Sequence, residues 1–326
     1  MPILLTEADV TALLSMDDLI PAMGTALAAF SARQVEQPLR TVLTVGDQHA
    51  FYGVMPAYVP GTPALGTKLV TVFSGNPARG LPTHLATIVL LDPETGALLA
   101  LMDGRYITES RTAAVSAVSV QHLAREDAGV LAILGAGVQG RSHLEAIARV
   151  RPLTDVRVWS RTPSHADNFI TEMQPHVRCR LQKMPSAEAA VRDASIVVLT
   201  TASKEPVLYS QWIADGTHIC AVGACRPTER EMEGALVARA DLYVDSREAA
   251  LAESGDIVLA IKDGLIGASH IKAELGEIAG GVVSGRVTRD RVTIFKSLGM
   301  AVEDVAAAHL VYQRAMVRGA GQVVTL

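Results

Sequence analysis

The sequence predicts an α/β protein in which a Rossmann-type, doubly wound parallel sheet is joined to an N-terminal α+β unit. Three observations carry this. The glycines of "ILGAGVQGRSH" (133–143) stand between an apolar strand and a helix. From Val130 onward apolar strands alternate with helices, the rhythm of parallel strands joined by helical crossovers. Between 39 and 103, β-rich runs are instead separated by Gly, Pro and Asp, the texture of a mostly antiparallel sheet.

In order along the chain, residues 6–34 space their apolar positions for helix, with Thr6 and Asp17 as expected caps. "RTVLTV", "AFYGVMPAYV", "LGTKLVTVF", "HLATIVLLD" and "ALLALMD" follow as strands, and "DPETG" (92–96) is a hairpin turn between the last two. "TAAVSAVSVQHLA" (112–124) predicts a helix of small residues. The strands "VLAILG", "VRVWS", "SIVVLTT", "THICAVG" and "LYVDS" come next, with helices at 138–150, 164–174 and 186–192. A last helix near 299–318 is expected to return to the first domain, so that residues 1–113 and 303–326 form one domain and 114–302 the other.

A chain of 326 residues is long enough for two cores. With 49% apolar residues, 19% charged residues and a net charge of -5, it offers no basic excess for nucleic acid or an anionic membrane. The N-terminus lacks a basic flank before an apolar core, and no apolar run approaches the roughly 18 residues of a membrane span. A soluble cytoplasmic protein is expected. Cys179, Cys220 and Cys225 are an odd number without metal-ligand spacing, which predicts free thiols and neither disulfide framework nor metal site.

Gly135, Gly137 and Gly140 have the spacing that lets a turn tighten, a backbone approach pyrophosphate and a helix pack on its strand. A bound dinucleotide is the expectation. The end of the next strand chooses which one, because an acid there bonds a ribose 2′-hydroxyl whereas Arg and hydroxyl residues suit a 2′-phosphate. Here Ser160, Arg161 and Thr162 stand in that place and no acid follows before Asp167. NADPH is therefore expected, with NADH as a weaker substitute.

The stretches "QPLRTVL", "GVMPAY", "GTKLVT", "PTHLAT", "LLALMDG", "ESRTAAVSA", "ILGAGVQ", "WSRT", "VGACRP", "VDSREAALAESGD" and "FKSLGMAVED" resemble the ornithine cyclodeaminase/mu-crystallin family, closest to its mu-crystallin (ketimine reductase) branch. The resemblance covers essentially the whole chain. It implies a homodimer whose N-terminal domain supplies the dimer contact and the substrate pocket, with the Rossmann domain holding the nicotinamide against that pocket. It also implies that Arg40, Lys68 and Arg111 contact the substrate, that Glu253 faces the ligand, and that Thr83, His84 and Thr112 line the nicotinamide and phosphate side. Val138, Gln139, Thr201 and Val222 join the cofactor set on the same ground, and Ser297 is expected to close the pocket at the final helix. The cations make chemical sense: a 2-imino acid carries a carboxylate beside its reacting carbon, which an Arg fork can hold bidentately while Lys adds a point charge. Holding it fixes the reacting carbon.

One departure selects the reaction. Cyclodeaminases of this family carry an Asp just after the glycine of the "VGA" strand end, where this chain reads Gly223-Ala224-Cys225. Ala224 cannot carry a proton, Cys225 is a weak substitute, and the nearest acids are Glu229 and Glu231, the latter expected to cap a helix. The expected activity is NADPH-dependent reduction of Δ1-piperideine-2-carboxylate or Δ1-pyrroline-2-carboxylate to L-pipecolate or L-proline. The alternatives are an amino-acid dehydrogenase of alanine dehydrogenase type, an ornithine cyclodeaminase, or a dinucleotide-dependent binding protein with little turnover.

Overall fold

The computed structural model describes residues 1–46 and 50–325. The chain begins β1 (Ile3–Leu5), α1 (Glu7–Leu13), α2 (Met16–Ser31), β2 (Thr41–Val45), β3 (Ala50–Val59), β4 (Ala64–Val72), β5 (His84–Leu91), β6 (Leu98–Asp103) and α3 (Arg105–Leu123). It continues β7 (Val130–Leu134), α4 (Val138–Val150), β8 (Asp155–Trp159), α5 (Pro163–Met173), β9 (Arg180–Lys183), α6 (Ala187–Val191), β10 (Ile196–Leu199) and β11 (His218–Ala221). The remainder is α7 (Gly234–Arg239), β12 (Asp241–Val244), α8 (Arg247–Glu253), α9 (Gly255–Lys262), β13 (Ile271–Glu274), α10 (Leu275–Ala279), β14 (Thr293–Lys296), α11 (Ala301–Arg318) and β15 (Gln322–Val323). Two compact units result, Met1–Arg111 with Met300–Leu326 and Thr112–Gly299, with boundaries two or three residues from the 113/114 and 302/303 divisions.

In the first unit the described strands form one sheet in the order β15-β1-β6-β5-β4-β3-β2. The pairs from β2 to β6 are antiparallel, as the punctuated β-rich runs predict, and β1 adds a parallel pair with β6. Ala64, Gly66, Lys68 and Val70 alternate toward the buried face of β4, where α11 packs. Gly66 is required there, since a Cβ would stand 2.6 Å from the Val89 carbonyl and 3.4 Å from Val305 of α11. Thr6 caps α1 as expected, in a capping box with Asp9. Asp17 is not a cap. Ser15 caps α2, and its hydroxyl bonds Asp18, because the helix starts two residues earlier than the acid pattern suggests.

The small-residue helix also starts early, at Arg105 rather than 112: Asp103 accepts from the Tyr106 N–H and Thr108 bonds back to Gly104, so the polar "RYITES" segment is helical too.

The second unit is an eight-stranded sheet among the described residues, ordered β13-β12-β14-β11-β10-β7-β8-β9, and every pair in it is parallel. The central strands β10, β11 and β14 are buried along their whole length, as strands covered on both faces must be. One face packs Leu134, Val197, Ile219 and Ile294 with Leu236 and Ile257; the other packs Ile133, Val198 and Cys220 with Leu144 and Phe169. His218 sits inside this core, held by Ser119 and Thr293, and burial pushes it down to about 3, so it is neutral. No single helix among the described residues is long and apolar enough to cross a membrane.

Candidate functional site

The second unit's sheet reverses direction between β7 and β10: the chain builds β7, β8 and β9 outward, then returns to place β10 on the other side of β7. A crevice at the carboxyl ends of the strands follows from that switch. It is a cleft of about 310 Å³ lined by Gly135, Gly137, Ser160, Arg161, Thr162 and Thr201, six of the predicted cofactor residues. Trp159, His165, Thr200, Ala202, Ser203 and Val207 complete the lining with Ala136. His165 and Ser203 were invisible to motif reading because one opens α5 and the other follows β10, and only the sheet brings them together.

The three glycines do three different jobs. Gly135 has φ +111, and a Cβ there would stand 2.5 Å from the Thr200 carbonyl. A Cβ on Gly140 would stand 2.5 Å from the Gly135 carbonyl and 3.4 Å from Phe169, so that glycine lets α4 press against its strand. Gly137, the N-cap of α4, has nothing within 4 Å of its would-be Cβ. No protein neighbour requires a glycine there, while an approaching pyrophosphate would, beside the free N–H groups of the first helical turn. These residues fit a dinucleotide.

Gly137→Ala separates the two kinds of glycine. With φ at -87 and open space around it, the variant is expected to melt within a few degrees of the parent yet bind the reduced nicotinamide dinucleotide at least tenfold more weakly. Melting curves and NADPH fluorescence titration check this; unchanged affinity would show that no phosphate comes close.

The other predicted cofactor residues lie around the strand ends without lining that cleft. Val138 and Gln139 open α4; Val222 follows β11; Thr112 is buried in α3. Ser297, expected to close the pocket at the final helix, lies ahead of that helix. It follows β14, its N–H bonds the Ala221 carbonyl, and its Oγ is fully enclosed by protein. The turn after it is held by Asp245, which accepts from the Leu298 and Gly299 N–H groups at 2.5 and 2.7 Å. Glu253, predicted to face the ligand, ends α8 half-buried in this same unit.

In the first unit Lys68 and Arg111 come together. Lys68 lies at the centre of β4 between the buried Met55 and Ile88, and its Nζ stands 2.6 Å from Oδ2 of Asp304. Arg111 Nε donates to the other Asp304 oxygen at 2.9 Å, and its Nη1 pairs with Glu303. Both acids sit in the first turn of α11, where the helix dipole favours negative charge. The sequence reading missed them. Their signal is two adjacent acids opening a helix, "AVEDVAAAHLV", whose neighbours are apolar.

Burial pushes Lys68 down to about 8; Asp304 opposes the shift, and the Arg111 and Arg40 charges add to it. Burial would lower Arg111 as well, but Asp304 and Glu303 outweigh it and hold Arg111 above its usual range. His84, at the head of β5 beside the exposed Thr83, is pushed down to about 4 by burial and by the Lys68 and Arg111 charges. At neutral pH its imidazole is uncharged. The charges of Arg40, Lys68 and Arg111 thus act on one another around the buried Asp304 and Glu303, and fixed cations of this kind suit an anionic ligand.

A parallel sheet with a dinucleotide cleft, joined in one chain to a buried cationic cluster, defines a nicotinamide-dependent oxidoreductase of a small acid. The chain belongs to the ornithine cyclodeaminase/mu-crystallin family, whose model matches residues 1–319. It is 46% identical over 297 residues to the ketimine reductase mu-crystallin of Rattus norvegicus, covering 90% of this chain and 91% of that protein. It is 38% identical over 311 residues to a Δ1-pyrroline-2-carboxylate reductase of Bacillus cereus, covering 95% of each. Its fold superposes on the Thermococcus litoralis Δ1-pyrroline-2-carboxylate reductase, solved with NADH and L-proline, with a TM-score of 0.97 at 39% identity, over 99% of this chain and 100% of that one.

Glu231 is a correction. It does not cap a helix, since α7 begins after Glu233. Its buried carboxylate instead receives the N–H groups of Thr201, Gly223 and Ala224.

Proposed function

We propose that this protein reduces cyclic ketimines, Δ1-piperideine-2-carboxylate or Δ1-pyrroline-2-carboxylate, to the cyclic amino acids with NADPH. The observation that carries the reading is the buried Lys68–Asp304–Arg111 cluster with the Arg40 charge acting on it, fixed cations of the kind that hold a substrate carboxylate. When bound, the dinucleotide supplies the hydride for the C=N carbon. The chain's part is to hold the carboxylate, which orients that carbon, and to keep His84 neutral beside the cations. A protonated cyclic ketimine is already electrophilic and asks for little acid help. Relatives named for ketimine and pyrroline-carboxylate reduction support the substrate class. Following NADPH consumption with each cyclic ketimine, and with pyruvate plus ammonia, tests it; turnover only with the open-chain pair would replace this reading with an amino-acid dehydrogenase.

NADPH rather than NADH follows from Ser160, Arg161 and Thr162, which line the cleft at the end of β8 where no carboxylate stands. Arg161→Asp is expected to lose a charge-assisted phosphate contact of about 1.5–3 kcal/mol, roughly ten- to a hundredfold in NADPH affinity. Equal catalytic efficiency with both cofactors in the unmodified enzyme would sink the assignment.

The active form is a homodimer in the cytoplasm. Val54 and Leu69 pair across β3 and β4, and Leu65 and Leu91 across β4 and β5, on the sheet face opposite α11, where they stay only partly covered. The edge strand β2 is exposed throughout, with Val42 and Leu43 at 50% and 55%. A second copy covering this apolar surface accounts for both; sedimentation as a monomer at micromolar concentration would contradict it. The three free thiols suit a reducing compartment.

A further inference from the structure

We infer that Glu231 is the positioning residue for the nicotinamide half of the dinucleotide, tying together the two strand-end loops over which that half must lie. The inference rests on the dinucleotide reading of the cleft. With the adenine ribose at the end of β8 and the pyrophosphate at the start of α4, the rest of the molecule extends across the switch point toward the ends of β10 and β11. Those ends are Thr201 and Gly223-Ala224. Both are held by one side chain.

The Glu231 carboxylate is completely buried. Its Oε1 accepts from the Thr201 N–H at 2.7 Å and the Thr201 hydroxyl at 2.6 Å; its Oε2 accepts from the Gly223 N–H at 2.6 Å and the Ala224 N–H at 3.1 Å. The Thr201 hydroxyl in turn accepts from the Ser203 N–H, and Ser203 lines the cleft. A Cβ at position 223 would stand 2.2 Å from the Thr201 carbonyl and 2.5 Å from both Glu231 oxygens, which is why that residue is glycine. The anchor is itself anchored: Asp256 accepts from the Glu231 and Met232 N–H groups at 2.9 and 3.0 Å, and pairs at 3.1 Å with the wholly buried Lys296. Burial would lower Lys296, but Asp256, Cys225 and Glu231 raise it, so this ammonium stays charged inside the unit.

Burial raises the Glu231 carboxyl above its ordinary range, the Lys296 charge and the Thr201 donors oppose that, and two donors on each oxygen leave no place for an amide. In Glu231→Gln the amide NH2 must face either the Thr201 or the Gly223-Ala224 donors, so one loop is released although the side-chain volume is unchanged. A residue that merely stabilised the unit would weaken both halves of the ligand together. A positioning residue weakens one.

The test is isothermal titration of the purified full chain and its Glu231→Gln variant with adenosine 2′,5′-bisphosphate, an adenine-half probe, and with NADPH, followed by ketimine kinetics at saturating NADPH. The expected result is fragment affinity within threefold of the parent, NADPH affinity reduced at least tenfold, and kcat reduced ten- to a hundredfold. Equal weakening of both ligands, or of neither, overturns the inference while leaving the cleft assignment intact. Failure of the parent to bind either ligand overturns the cleft assignment and the inference with it. Should Glu231→Gln not fold, Thr201→Val and Thr201→Ser give the same reading more mildly: the valine, which loses the hydroxyl donor, should selectively weaken NADPH, and the serine, which keeps it, should restore binding. Matching losses in valine and serine would also overturn the inference.

Discussion

If Arg111 holds the substrate carboxylate as proposed, replacing it by Met is expected to cut kcat/KM for the cyclic ketimine by about 10²–10⁴-fold, the loss of two charge-assisted hydrogen bonds of about 1.5–3 kcal/mol each. NADPH affinity should stay within a few-fold. The structure adds a second consequence. Arg111 pairs with both Asp304 and Glu303, and each acid is wholly buried, so the variant takes the guanidinium from Glu303, leaves Asp304 to Lys68, and should lose about 3–5 kcal/mol of stability. Combining Arg111→Met with Glu303→Gln removes one orphaned charge: stability should partly return, and activity should not. Lys68→Met, which leaves Asp304 with Arg111 alone, should also depress ketimine turnover severely. Near-normal rates at low ketimine concentration in either single variant would show that these cations serve the fold and not the substrate.

The second large effect is an absence of turnover. Ornithine is not expected to be converted to proline with release of ammonia, because Ala224 stands where cyclodeaminases of this family carry an Asp. The structure leaves the position no easy substitute. Ala224 is buried, and its N–H is committed to Glu231. Glu231, the nearest buried acid, spends both oxygens on four donors. The Cys225 thiol donates to the Val222 carbonyl. Acid–base help of the missing kind is worth roughly 10²–10⁴ in rate, enough to decide the outcome. Incubation with ornithine and catalytic NADP, assayed for ammonia and proline beside ketimine reduction, checks it. Efficient ornithine turnover would mean that another group carries the proton, with Glu253 the first to mutate.

The elements best legible in the sequence are those whose signal is local. The Gly135-Gly137-Gly140 spacing, the run of apolar strands from Val130 and the "DPETG" turn each encode their geometry within a dozen residues, and each is present in the structure. Short elements were harder. The strands Arg180–Lys183, Ile271–Glu274 and Thr293–Lys296 each carry a Lys or Arg among only four residues, which breaks the apolar run, and become strands because neighbours in the parallel sheet complete their hydrogen bonds. The start of the third helix at Arg105 was hidden for a related reason, since its polar first turns carry no apolar stripe.

By itself the sequence determined the dinucleotide-binding architecture, the family and the identities of Arg40, Lys68 and Arg111, because conformational needs of glycine and the chemistry of single residue types are written locally. Tertiary structure alone decided how those residues are charged and held. Lys68 and Asp304 stand near opposite ends of the chain, and only the packing of the last helix on the sheet pairs them. The same holds for Glu231, an acid that reads as a helix cap until the fold buries it among the N–H groups of Thr201, Gly223 and Ala224. A buried charge takes its role from the partners that surround it, and those partners are gathered from distant parts of the chain by folding.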